Sequence, residues 1–279
     1  MSAAVALALA APAFAADNRK EVRLDVAPGA TVNIVNSAGS VNLHSDNGRQ
    51  LQLVYTTHSD KVEVDQNSTA DNKRIEIVTH ALPEQKPSAD EARVDYDITV
   101  PSGVSVTATT ATAPITADGL RGDITLASDT GQITARNISR SHVNIRSVAA
   151  PVNLNNLLLD YVDVTSSGGA VQMVNVAGPK VNVGTAGGNI TYQGDCSGGG
   201  AYNMSTYSGA IDVTLPQTAS VDLSARSVSG KVENEFPLQQ KSHTSFVPQT
   251  GRSFAGTSNS GSSSIELQSF SGKIRVKKQ

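Results

Sequence analysis

Residues 142–154 read HVNIRSVAAPVNL, and a matching segment, YVDVTSSGGAVQM, follows one repeat later at 161–173. In both, apolar and polar residues alternate, pass through a short turn and alternate again, which is typical of two half-buried strands joined by a tight corner. The apolar residue that opens the second strand recurs at a near-constant interval through the second half of the chain. These residues are Ile115, Ile133, Val152, Val171, Ile190, Ile211 and Val232, with Ile274 two steps further on.

A second apolar row lies half a repeat before most members of the first. It consists of Ile124, Val143, Val162, Val181, Tyr202 and Ile265. A fixed period near 20 with β-rich units predicts an all-β fold, a β-solenoid with about 19–21 residues per coil and two short strands per repeat. Val143, Val162, Val181 and Ile190 are expected to point into one continuous core.

The predicted corners repeat as well. Glycines occupy many of them, and we expect these to supply positive φ angles. Two polar rows are interpreted as ladders that satisfy the backbone of the turns rather than as a polar active groove. The first row is Asp118, Asn137, Asn156 and Asn175, and the second is Ser128, Ser147, Ser166 and Thr185.

The chain divides into five predicted segments. Residues 1–16, MSAAVALALAAPAFAA, form a signal peptide with cleavage near Ala15/Ala16, after an A-x-A pattern. Residues 17–112 are irregular β-rich N-terminal coils, and 113–234 are the regular repeats. Residues 235–263 form a long Ser/Gly-rich loop, and 264–279 form the final coil and a C-terminal cap.

The N-terminal segment already contains one turn of the later type. Ser37 to Val41 carries the turn-strand signal of the later coils, and its distance from Ile115 in the sequence predicts a position about four coils away. The 235–263 segment holds Phe236, Phe246 and Phe254. It is either a mobile surface insertion or a cover that folds back over the solenoid.

Composition and charge exclude several classes of function. Nucleic-acid binding needs a clustered Lys/Arg surface, and a formal net charge of −3 argues against one in this chain. Residues 1–16 are too short for a permanent bilayer span, so we expect no transmembrane segment in the mature chain.

Cys196 is the single cysteine and is expected to be an unpaired loop thiol. The histidines show no metal-ligand spacing, and no motif indicates a cofactor.

One acidic pair could support catalysis. In a sequential stack Asp212 and Glu233 face outward one coil apart, about 5 Å along the axis, which is a spacing compatible with a retaining carboxylate pair. Neither has neighbouring aromatic residues in the sequence for stacking sugar rings. The pair therefore supports only an alternative hypothesis, a β-helical carbohydrate-active enzyme (a lyase or a glycosidase).

The order of segments resembles a bacterial family of exported β-solenoid domains of unknown function, the putative adhesins. The shared features are VAPGATV at 26–32, YDITVP at 96–101, DGLRGDI at 118–124 and the serial turns of the form S/T-x-G-x-[IV]. The resemblance covers roughly residues 20–278. It implies a periplasmic or cell-surface location and adhesion, and it supplies no catalytic residues.

The sequence thus predicts an exported, non-enzymatic β-solenoid that binds or supports the cell envelope. A cell-envelope glycan or protein is the expected partner, and no catalytic, cofactor or metal site is expected apart from the alternative pair Asp212 and Glu233.

Overall fold

The computed structural model describes residues 17–196, 199–240 and 249–279, and these residues form an all-β solenoid. Their strands make two long sheets, one of 12 and one of 13 strands, which stack on each other around one continuous core. We call them the first and the second sheet, respectively. The predicted signal peptide, 1–16, lies outside the described residues.

The N-terminal part pairs its strands irregularly. The strands are β1 (Asn18–Asp25), β2 (Thr31–Asn36), β3 (Ala38–Asp46), β4 (Gln50–Thr57), β5 (Val62–Ser68), β6 (Arg74–Ala81), β7 (Arg93–Pro101) and β8 (Ser105–Thr110). The first sheet begins with the order β1-β4-β7-β3, and the second ends with β8-β2-β6-β5. Pairs β1/β4, β4/β7 and β5/β6 are antiparallel, whereas β3/β7, β2/β6 and β2/β8 are parallel.

The regular coils follow, each giving one strand to each sheet. All neighbours in this part are parallel and in register, so that Val162 pairs with Val143 on one side and Val181 on the other. The strands are β9 (Ile115–Asp118), β10 (Ile124–Ser128), β11 (Ile133–Arg136), β12 (His142–Ser147), β13 (Val152–Leu158), β14 (Tyr161–Ser166), β15 (Val171–Ala177), β16 (Lys180–Thr185), β17 (Ile190–Gln193), β18 (Ala201–Thr206) and β19 (Ile211–Leu215).

The core consists of the alternate residues that the sequence pattern places inside. Val143, Val162, Val181 and Ile190 are all fully buried, which confirms their predicted direction and register. Each such side chain contributes roughly 1.5–3 kcal/mol by leaving water. Because a coil touches only its neighbours, this stabilisation is distributed along the axis rather than concentrated at one centre.

Turn glycines are needed for space rather than for positive φ. Gly169 and Gly188 are not among the residues with positive φ, contrary to the sequence-based expectation. A Cβ atom on Gly169 would lie 1.9 Å from the carbonyl oxygen of Ala150, and one on Gly188 would lie 2.1 Å from that of Gly169. At these two glycines the preceding coil therefore leaves no room for a side chain.

Asparagine takes the left-handed conformation at the opposite corner. The φ angles of Asn137, Asn156 and Asn175 are 57°, 54° and 53°. The Asn175 side-chain amide donates to Asn156 Oδ1 at 3.1 Å, and that of Asn137 donates to Asp118 Oδ1 at 3.0 Å. These bonds confirm a polar ladder between coils, as the sequence predicts.

Three of the four residues of the second predicted ladder cap their own turns, whereas the buried Ser128 hydroxyl makes no hydrogen bond with the described residues. Ser147, Ser166 and Thr185 are buried and donate to the carbonyl oxygens of Ala150, Gly169 and Gly188, each a short step further along the chain. The hydroxyl groups thereby satisfy turn carbonyls at buried positions, where an unmade hydrogen bond is costly.

The first coil lies closer to the regular repeats than its sequence distance suggests. Val41 of β3 pairs directly with Ile115 of β9, so the two are neighbours, not four coils apart. The intervening residues extend both sheets on the outer side of β2 and β3. Strands β6 and β7 pair parallel with β2 and β3, like a further coil, and β5 and β4 pair antiparallel with β6 and β7. Together these strands form a cap over the N-terminal end of the stack.

The C-terminal coils are not stacked in chain order. The last strands are β20 (Val221–Ser227), β21 (Val232–Asn234), β22 (Gln239–Gln240), β23 (Ser253–Ser258), β24 (Ser263–Ser269) and β25 (Ile274–Lys278). In the second sheet β24 lies between β18 and β20, and in the first β25 lies between β19 and β21. The coil closest to the C-terminus is therefore inserted beneath the preceding one instead of capping the end.

The segment predicted as a loop, 235–263, contains structure of its own. Strand β23 pairs antiparallel with β20, and β22 pairs with β23, so this hairpin lies at the end of the second sheet. Phe236 is buried and Phe254 packs, partly buried, against the core. The described parts of the segment thus cover the end of the solenoid, while Phe246 lies outside the described residues.

Candidate functional site

The two candidate carboxylates are separated by an inserted strand. Asp212 on β19 and Glu233 on β21 each pair with Arg275 on β25, which lies between them. Neighbouring strands are about 4.8 Å apart, so the two acidic positions are separated by roughly 10 Å along the axis. The one-coil spacing expected for a sequential stack is wrong because the chain inserts its last coil there.

Both carboxylates are held by cations. Arg275 forms a bidentate ion pair with Asp212, with Nε–Oδ1 and Nη2–Oδ2 distances of 2.5 and 2.9 Å. Glu233 receives Lys231 Nζ at 2.8 Å and Lys273 Nζ at 2.7 Å. We call these five side chains the charge network: Asp212, Lys231, Glu233, Lys273 and Arg275.

The two lysines favour the ionised form of Glu233. Hydrogen bonds from Lys231 and Lys273 lower the pKa of Glu233 to about 2. A general acid for glycoside cleavage needs the opposite perturbation, a pKa raised toward neutrality. Glu233 is therefore unsuited to the role of that general acid.

An exposed aromatic pair lies on the corner that precedes this network. Tyr207 and Phe270 stack with ring centroids 4.8 Å apart and an angle of 2° between the planes. They are 60% and 46% exposed, and Val228, on the next coil, is 48% exposed. We call Tyr207, Phe270 and Val228 the corner ridge.

The solenoid register places these three side chains side by side. Their backbone amides donate to the preceding coil: Tyr207 to Thr185 O, Phe270 to Thr206 O and Val228 to Ser269 O. A Ser-Gly pair follows each residue of the ridge, and the strand that carries part of the charge network follows that turn. The ridge and the network thus belong to the same three coils.

A family model described as Toastrack DUF4097 matches residues 17–277. The chain belongs to this family. No curated protein matches it.

The Toastrack chain is also similar to three bacterial crystal structures. A putative cell adhesion protein from Clostridium sporogenes shares 15% identity, with 94% of this chain and 100% of that one covered and a TM-score of 0.33. A putative adhesin from Bacteroides fragilis shares 12%, with 93% and 97% covered and a TM-score of 0.39. A putative lipid binding protein from Parabacteroides distasonis shares 12%, with 93% and 96% covered and a TM-score of 0.42.

The sequence does not reveal the corner ridge of this Toastrack domain, although part of the signal is present. Tyr207 and Phe270 each precede a Ser-Gly turn but are far apart in the chain. Sequential stacking would place them on separate coils, with β20 between them. Only the insertion of β24 next to β18 makes them neighbours.

Cys196 is an unpaired loop thiol, as the sequence predicts, and it is buried. It is 2% exposed, and its Sγ lies 3.3 Å from the Tyr192 hydroxyl. Burial raises the pKa of this thiol to about 12, so it is a weak nucleophile. Across residues 17–196, 199–240 and 249–279, no group of three or more His, Cys, Asp or Glu could hold a metal ion, and no helix is long and apolar enough to span a bilayer.

Proposed function

We propose that this Toastrack protein is an exported, non-enzymatic binding module of the cell envelope. Its contact surface is the corner ridge together with the charge network. The partner is an envelope glycan, whose apolar ring faces match the exposed aromatic pair and whose polar groups match the charges beside it.

The exposed stacked pair is the observation that carries this proposal. Three of the six large hydrophobic side chains exposed among the described residues lie together on this corner. Isolated exposed hydrophobic residues are ordinary, but a contiguous group next to charged residues is typical of an interaction site. Aromatic residues and arginine are also the side chains that contribute most to recognition surfaces.

The absence of catalysis is part of the proposal and has its own support. Glu233 is kept ionised by two lysines, and Asp212 is bound at both oxygens by Arg275. Neither carboxylate is thereby free to act as a general acid or as a nucleophile. Export is supported by the signal-like residues 1–16 of the sequence.

A sedimentation assay with insoluble envelope polysaccharide tests the binding. We expect saturable binding by the wild-type protein and at least a tenfold higher Kd for the double variant Tyr207→Ser/Phe270→Ser. The matched control is Val148→Ser/Leu158→Ser, which removes two exposed hydrophobic side chains of the regular coils and should change Kd less than twofold.

Release of reducing ends or unsaturated sugars is measured in the same samples. Turnover that is abolished by Asp212→Asn or Glu233→Gln would show an enzyme and overturn the proposal. Equal losses in the ridge variant and the control would refute the ridge as contact surface. If the wild-type protein bound polysaccharide that retains its attached protein but not protein-stripped polysaccharide, the partner would be a protein and not a glycan.

A further inference from the structure

A separate pocket lies in the N-terminal part of the solenoid, where three connections meet. The β1–β2 turn, the β3–β4 turn and the β7–β8 turn converge on it. The Ser102 amide donates to Asp46 O at 2.9 Å and the Ser105 amide donates to Ala30 O at 2.9 Å, so backbone bonds hold these turns against each other. The pocket is thereby largely preformed, as small-molecule sites usually are.

The pocket is mainly apolar and large enough for a small ligand. Its volume is about 470 Å³, within the range of ligand sites. Val104 and Pro101 are buried, and Val26 packs partly buried against the core. The lining residues are Val26, Ala27, Pro28, Gly29, Gly48, Arg49, Pro101, Ser102 and Val104.

Arg49 is the single charged residue of this lining. Among the described residues no carboxylate lies within ion-pair distance of its guanidinium, unlike those of Arg93 and Arg136. Two acids on the neighbouring turns are otherwise engaged, because Asp46 accepts the Gly48 amide and Asp25, which pairs with Gln50, accepts Gln50 Nε2. The guanidinium is thus available to an anion from outside.

We propose that this pocket binds a small amphiphilic anion, a monoanionic head group on a short aliphatic chain. Arg49 binds the head group through charge-assisted hydrogen bonds, and the apolar residues of the turns contact the aliphatic chain. This site is on a different part of the solenoid from the corner ridge and does not depend on the glycan proposal.

Isothermal titration of the whole chain with octanoate tests this inference. We expect saturable one-site binding that weakens at least tenfold in Arg49→Gln and is partly retained in Arg49→Lys. Octanol should bind weakly and equally to wild type and Arg49→Gln, since it lacks the charge. Acetate should not bind measurably, since it lacks the chain.

Arg146→Gln is the matched control, because Arg146 is also exposed but lies on the regular coils away from the pocket. Equal weakening by Arg49→Gln and Arg146→Gln would overturn the site, as would equal affinity for octanoate and octanol. Octyl phosphate distinguishes the source of the anion. Tighter binding of octyl phosphate than of octanoate would indicate a phospholipid-derived head group, and the reverse would indicate a free carboxylate.

Discussion

Val162 lies in the middle of the regular coils, between Val143 on one neighbouring strand and Val181 on the other. Its side chain is fully buried among apolar residues. We expect Val162→Asp to lower the free energy of unfolding by about 3–5 kcal/mol, because the carboxylate has no partner there. Denaturant unfolding measures this loss, and Asp163→Asn, at the adjacent outward position, should change it by less than about 0.5 kcal/mol.

The location of the damage is a second readout of the same variant. In a solenoid each coil contacts its neighbours, so hydrogen exchange should accelerate first in β12 and β16 and last in the N-terminal cap. An unchanged melting temperature for Val162→Asp would contradict the inward register.

His58 connects the beginning of the described chain to the cap. Its Nδ1 lies 2.8 Å from Asp17 Oδ1 and its Nε2 lies 2.7 Å from Asp95 Oδ2. The hydrogen bond to Asp95 is the largest cause that raises the pKa of His58, partly opposed by desolvation and supported by Asp17. Asp95 also receives Ser40 Oγ at 2.8 Å and faces Arg93.

A raised pKa in the folded state gives this site a pH dependence with a definite sign. The stabilisation is fully present below the unfolded value of about 6.5 and is lost as the pH rises through the higher folded value. The melting temperature of wild type should therefore exceed that of His58→Gln by more at pH 5.5 than at pH 8.5. A difference that is constant with pH, or that grows above pH 7, would contradict a protonated His58 in the cap.

Strands β13 and β15 each bend at an asparagine, so that the residues before and after the bend lie on two different sides of the coil. Asn156 and Asn175 adopt positive φ within these strands, and the buried residues Leu157 and Val176 follow directly. The left-handed residue shifts the alternation by one position, so that the residue after it points inward again. Asparagine is suited to this place because it tolerates the left-handed region and bonds to the next coil.

Substitution of Asn175 separates these two contributions. Asn175→Ala loses the 3.1 Å bond to Asn156 and also carries the strain of positive φ, which together should cost about 1–3 kcal/mol. Asn175→Gly loses the bond but relieves the strain, so we expect a smaller loss in denaturant unfolding. If alanine were tolerated as well as glycine, the left-handed conformation would not be the constraint at this corner.

The position of the last coil can be tested by truncation after residue 262. Removal of β24 and β25 takes away strands that lie between β18 and β20 and between β19 and β21. We therefore expect residues 221–234 to lose their protection from hydrogen exchange, while β12, β14 and β16 keep theirs. Retained protection in 221–234 would mean that this coil can stack directly on β18 and β19.

The sequence predicts the repeating part of the fold and fails where the chain leaves sequential order. Val143, Val162 and Val181 are inward because a two-residue alternation and a fixed period determine direction and register together. Neither signal states which coil is adjacent to which. Ile274 has the same local pattern as Val232, and only packing decides that it lies beside Ile211.

The candidate site shares this limitation. Asp212, Glu233 and Arg275 are all recognisable as outward residues, but their order across the sheet follows from the insertion of β25. The same insertion creates the ridge of Tyr207 and Phe270. Sequence reasoning therefore finds the surface positions of this end and misses their neighbours.

The insertion of the last coil also has a consequence for synthesis. A chain grows from its N-terminus, and β20 and β21 emerge before the strands that separate them from β18 and β19. The coils up to β18 and β19 can stack in chain order, whereas the coil of β20 and β21 has its neighbouring strands only once residues 263–278 are present. The end of the molecule that carries the ridge is therefore completed in a single late event, and a chain that stops before β24 lacks Phe270 and with it the stacked aromatic pair.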